Sequence, residues 1–169
     1  MRFTAIGAAG ALMLLSVSTS LMAQRADNLI DPRSVELVKQ GRAAFAAGNA
    51  DGASDMLESA LVVDPRNRDA YLVLAEVARA KGLPGKAIRL YREALSLEPN
   101  DTAALRGQGE AMVAKGAMER AKENLGKIEK LCAKSCGDAT QLSAAIAKGP
   151  PVTTAQAEPA PNAAPTAKP

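Results

Sequence analysis

The chain has 169 residues, 47% hydrophobic and 23% charged, with a formal net charge of +3 and no His. The missing His excludes Ser-His-Asp and Cys-His catalysis, His-ligated zinc and His acid–base chemistry. Aromatics are 2% of the chain, too few to stack on bases, and 21 basic against 18 acidic residues is too balanced for a phosphate-neutralising surface. No nucleic acid, small-molecule substrate, metal or cofactor is therefore expected.

Residues 1–23 have the three parts of a secretory signal peptide. Arg2 supplies the positive charge, an apolar run extends from Ala5 to Val17, and small residues precede Gln24. Cleavage is expected after Ala23, with Ser20 as the second position. The apolar run is shorter than the ~20 residues that span a bilayer, so export to the periplasm is expected, and an uncleaved inner-membrane anchor is the lesser alternative. Residues 24–33 read as a lead-in.

From residue 34 the chain resembles itself at a shift of 34. Gly48 falls on Gly82 and Gly116, Ala53 on Ala87 and Ala121, and Leu57 on Tyr91 and Leu125. Asp64-Pro65 falls on Glu98-Pro99. Such a period signals stacked supersecondary units. Each unit reads as two amphipathic helices. The first helix begins at Asp31-Pro32, a cap followed by Pro at the first helical position, and ends at Ala47-Gly48. Leu37, Gly41 and Ala44 share one face. The second helix runs from about Ala50 to Val63 and is stopped by Asp64-Pro65. Unit two repeats the scheme, with Tyr71, Leu74, Ala75 and Ala78 against Ala87, Tyr91 and Ala94. Unit three departs from it: Ile128 stands for Ala and Ala133 for Pro. Gly107 and Gly109 are expected to weaken its first helix by roughly 1 kcal/mol each. Residues 136–148 read as a capping helix that covers the last unit. Residues 149–169, rich in Pro and Ala, read as a disordered tail.

Cys132 and Cys136 are an even pair in an exported chain, which favours a disulfide over a loop of five residues. The alternatives are a redox dithiol or a copper-handling pair, although no His is available as a third copper ligand.

The ladder of small residues and Pro resembles the tetratricopeptide repeat family, with repeats at 34–67, 68–101 and 102–135. The resemblance implies an all-α, right-handed solenoid of three helical hairpins plus the cap. It also implies a groove lined by the first helices of the hairpins. Carried over by register, the groove positions are Val35, Val38, Arg42 and Phe45, then Leu72, Glu76 and Arg79, then Arg106 and Glu110; Asp69, Ala103 and Val113 complete the set. Members that clamp a C-terminal carboxylate have Lys and Asn where Val38 and Arg42 stand, so that clamp is not matched. Phe45 is the expected apolar anchor, with Arg42, Arg79 and Arg106 pairing acidic groups. By analogy with the family, the implied function is a non-enzymatic periplasmic adaptor that binds a protein or peptide, in an envelope assembly such as pilus assembly or secretion.

Overall fold

The computed structural model describes residues 29–132 and 136–151. The predicted signal segment and most of the predicted tail lie outside these residues. The described chain is all helical: α1 (Pro32–Ala46), α2 (Ala50–Val63), α3 (Arg68–Ala80), α4 (Pro84–Leu97), α5 (Thr102–Ala114), α6 (Met118–Leu131) and α7 (Gly137–Lys148). None of them is long and apolar enough to cross a membrane.

Local chemistry sets the helix boundaries. Asp31, Asn49, Asn67 and Asp101 accept backbone N–H bonds in the first turns of α1, α2, α3 and α5, satisfying donors that have no partner within the helix. Pro32 and Pro84 open α1 and α4, where the missing N–H is not needed. Gly48, Gly82 and Gly116 carry φ of 82°, 70° and 78°. The residue after each glycine bonds back over the helix end: Asn49 N to Ala44 O at 2.9 Å, Leu83 N to Ala78 O at 2.9 Å and Ala117 N to Met112 O at 2.8 Å. This left-handed cap reverses the chain after each first helix, so the three hairpins share one turn geometry.

The helices of each hairpin pack on each other, and each second helix packs on the next first helix. First helices also meet in the order α1, α3, α5, α7, whereas α2, α4 and α6 make no such contacts among themselves. The result is an α-solenoid with first helices on one face and second helices on the other. Gly41 lets Leu57 lie against α1: a Cβ there would stand 2.8 Å from Leu57 Cγ. Val38 lies in the core, 6% exposed, with Leu57, Val73 and Leu74. A buried side chain cannot line an open surface, so Val38 is not available as the groove residue that register assigns. The reason is tertiary: α3 covers this part of α1.

Polar bridges tie the hairpins together. Asn67 Nδ2 donates to Ser34 Oγ at 2.8 Å, and Ser34 Oγ donates to the Ala60 carbonyl at 2.8 Å, joining α1, α2 and the cap of α3. In the third hairpin Asn124 Nδ2 donates to Gln108 Oε1 at 2.9 Å and to the Leu105 carbonyl at 3.1 Å, and Gln108 Nε2 donates to the Ile88 carbonyl at 3.3 Å. These groups are buried and satisfied, as a dense interior requires.

The two glycines of α5 have partners that explain them. A Cβ on Gly107 would stand 2.4 Å from Tyr91 Cζ, and one on Gly109 would stand 2.7 Å from Leu142 Cδ1. Whatever propensity α5 loses is therefore exchanged for close packing on both of its neighbours. Leu142 of α7 is fully buried with Leu105 and Ile128, so α7 covers the apolar end of the stack. Cys132 and Cys136 are joined by a disulfide, with Cα atoms 5.9 Å apart. It links the end of α6 to the start of α7.

Candidate functional site

The side-by-side first helices form a cleft of about 820 Å³. Phe45 of α1, Glu76 and Arg79 of α3, and Arg106 and Glu110 of α5 line it, with Ala80 and Ala114 at the helix ends. Helical geometry explains the selection. Glu76 and Arg79 are three apart and Arg106 and Glu110 four apart, so each pair shares one face of its helix. The left-handed turn at Gly82 then brings Pro84 to the rim.

The charges in the cleft are organised. Arg79 pairs with Glu110 across the junction of α3 and α5. Arg106 Nη1 reaches Glu110 Oε1 at 3.0 Å, and Arg106 Nε reaches Asp138 Oδ1 at 2.9 Å. Asp138 also accepts from the Thr102 hydroxyl at 2.7 Å. A continuous chain of ion pairs therefore runs from α3 through α5 to α7. Burial pulls the Arg106 guanidinium down, but its bonds to Glu110 and Asp138 outweigh that and raise it above its ordinary value. Tyr91 lies beneath. Its phenol is raised above the ordinary range by burial first, opposed by a hydrogen bond with Arg79 and reinforced by the carboxylates of Glu76 and Glu110. The cleft thus sets two arginines and two carboxylates, Arg79, Arg106, Glu76 and Glu110, beside an apolar wall at Phe45.

The structure divides the register-derived groove residues. Phe45, Glu76, Arg79, Arg106 and Glu110 come together in the cleft. Arg42 is exposed on α1 outside its lining, and Leu72 is half-buried against the core. Val35 is 53% exposed but lines a separate depression with Arg66, Asp69 and Leu97. Val113 is buried and Ala103 exposed. Two kinds of lining residue were missed. Ala80 and Ala114 stand four residues after Glu76 and Glu110, share their faces and follow from helical spacing. Pro151, which composition assigns to the tail, lines the cleft as well. The chain turns there at Gly149, whose φ is 74°, and no local pattern foretells that direction.

Among the described residues no group of His, Cys, Asp and Glu could hold a metal ion. No curated protein sequence matches the chain. Solved structures do. The tetratricopeptide domain of Sgt2 from Aspergillus fumigatus is 25% identical, covering 82% of this chain and 92% of that one, with a TM-score of 0.64. The first such domain of Spaghetti (RPAP3), bound to the HSP90 peptide SRMEEVD, is 22% identical over 69% of this chain and 91% of that one, with a TM-score of 0.64. The second domain of human RPAP3, in complex with the HSP70 peptide SGPTIEEVD, is 18% identical over 67% and 94%, with a TM-score of 0.62. The tetratricopeptide repeat model matches residues 38–101 and 81–123, together more than half of the sequence. With seven helices among the described residues, arranged as a hairpin solenoid, and a 34-residue period, the chain belongs to the tetratricopeptide repeat family.

Proposed function

We propose that this chain is a non-enzymatic periplasmic adaptor that holds a peptide segment of another protein in the cleft between α1, α3 and α5, within an envelope assembly such as pilus assembly or secretion. The observation that carries the binding mode is the cleft itself: Phe45 stands beside Arg79 and Arg106, which the chain from Glu110 to Asp138 holds in place. Preorganised arginines lose little rotamer freedom when a carboxylate arrives. The peptide ligands of the similar RPAP3 domains agree in kind with this mode. The signal-like residues 1–23 support export. The joined Cys132 and Cys136 support a structural staple in place of a redox or copper role.

A photo-crosslinking residue at position 45 of the full chain, expressed in an exporting host, tests the binding mode. One protein is expected to be captured, and its capture is expected to be lost on Arg79→Glu. Capture that ignores Arg79→Glu would remove the cleft from the reading. Intact-mass measurement of the exported protein tests the location: a chain beginning at Gln24 or Leu21 is expected, and retention of residues 1–23 on a membrane-bound product would replace the periplasmic adaptor by an anchored one.

A further inference from the structure

A second cleft, of about 710 Å³, lies along α4 and the start of α6, on the other side of the turn at Gly82 and Pro84, which line both clefts. It is floored by Ile88 and lined by Lys86, Arg89, Arg92, Lys115 and Arg120, with no acidic residue in its lining. Leu83, 45% exposed, stands at its edge. Lys86 pairs with Glu58 at 3.1 Å. Among the described residues the other four cations form no ion pair. The nearest acidic positions on the same helices are Glu93, Glu119 and Glu123, which lie outside the lining, and Glu119 pairs with Lys122 at 2.8 Å.

The repeat register shows what is missing. At the junction of the first and second hairpins, Lys81 pairs with Asp51 and Lys86 with Glu58. Shifted by one period of 34, the two cations are kept as Lys115 and Arg120, but the two acids become Gly85 and Arg92. A third acid, Asp55, becomes Arg89. The geometry is kept too: a Cβ placed on Gly85 would stand 3.7 Å from Lys115 Nζ. The second junction therefore presents the cationic half of an interaction whose anionic half the first junction supplies from its own chain.

We propose that the cleft along α4 and the start of α6 binds an extended acidic segment of a partner protein, whose carboxylates take the places of Asp51 and Glu58. The cations come from α4, the end of α5 and the start of α6, and at the first junction the matching cations are met by side-chain carboxylates of a polypeptide, so a polypeptide is the occupant that this arrangement fits. Arginine forks match carboxylates bidentately, and Leu83 offers an apolar contact beside them. The site shares Gly82 and Pro84 with the cleft on the first helices but none of its charged residues.

The test uses the full chain and dye-labelled deca-glutamate, with deca-glutamine as control, read by fluorescence anisotropy. Binding of deca-glutamate alone is expected, weakening as salt rises from about 50 mM to about 500 mM. The double variant Gly85→Asp/Arg92→Glu restores the acids of the first junction and is expected to weaken binding by roughly tenfold or more, while its thermal midpoint does not fall. Lys39→Glu/Val62→Asp makes the same change of net charge at exposed positions of the first hairpin and is expected to bind as the unchanged chain does. Phe45→Ala/Arg79→Glu, which disables the other cleft, is likewise expected to leave binding intact. Equal loss in the two charge-matched variants would overturn the site, as would loss in the Phe45 variant. Binding to phosphatidylglycerol vesicles without binding to deca-glutamate would replace the peptide by a lipid surface and overturn the proposal.

Discussion

Gly107 and Gly126 are both helical glycines of the third hairpin, yet their surroundings give Ala opposite effects. A Cβ on Gly126 meets nothing within 4 Å, whereas one on Gly107 runs into the buried ring of Tyr91. Gly126→Ala is expected to stabilise the fold by about 1 kcal/mol through helix propensity, and Gly107→Ala to destabilise it by about 1–3 kcal/mol through overpacking. Urea unfolding of both variants measures the difference, and equal effects would refute the packing role of Gly107. A second expectation at this scale concerns acid. Asp64 accepts from the Asp31 N–H at 2.9 Å, the Arg66 N–H at 3.0 Å and Arg66 Nε at 3.2 Å. The backbone bond from Asp31, then the bonds from Arg66, hold its carboxyl below the ordinary range. A depressed carboxyl contributes stability above its unfolded pKa of about 3.9, and that stability is lost as pH falls through the lower folded value. The thermal midpoint of Asp64→Asn is therefore expected to fall less steeply than that of the unchanged chain below about pH 4; parallel curves would remove Asp64 from the account.

At the scale of elements, much was legible because the signals are local. Asp31-Pro32, Asn49, Asn67 and Asp101 mark helix starts through their own side chains, and Gly48, Gly82 and Gly116 mark ends through their own backbone. What was not legible depends on residues far along the chain. Val38 is buried by α3, Gly109 is filled by Leu142 of α7, and Pro151 reaches the cleft after a turn at Gly149. A groove assigned by register treats each hairpin alike, so it includes Val35, whose surroundings differ because no hairpin precedes the first among the described residues. The seventh helix shows how one element feeds the site. Its Asp138 holds Arg106, its Leu142 closes the core, and the disulfide fixes its start. A cross-link over five residues restricts the unfolded chain by about 2 kcal/mol in the chain-entropy account. Cys132→Ser/Cys136→Ser is expected to lower stability by about that amount and to speed amide exchange in α7 most of all. Unchanged exchange in α7 would show that Leu142 and Asp138 hold it without the bond.

For the molecule as a whole, helix–helix contacts among the described residues run only between neighbouring hairpins and the cap, with α1 and α7 at opposite ends. Stability in such a stack is a sum of hairpin terms and nearest-neighbour terms, so a perturbation at one end decays along the array. Val38 and Leu142 are buried side chains at the two ends, in separate clusters. Val38→Ala is expected to cost roughly 2 kcal/mol and Leu142→Ala about 3 kcal/mol, from lost burial and the cavity left behind. Amide exchange distinguishes a graded stack from an indivisible core. In the graded case Val38→Ala speeds exchange in α1 and α2 while α5 to α7 keep their protection, and Leu142→Ala does the reverse. In the indivisible case both variants speed exchange everywhere by the same factor, and the nearest-neighbour account fails. The graded outcome bears on binding as well. The cleft lined by Phe45, Arg79 and Arg106 draws on all three hairpins, so a ligand there couples ends that otherwise open separately. Bound peptide is then expected to raise protection in α1 and α7 together, a joint response that neither end substitution produces alone.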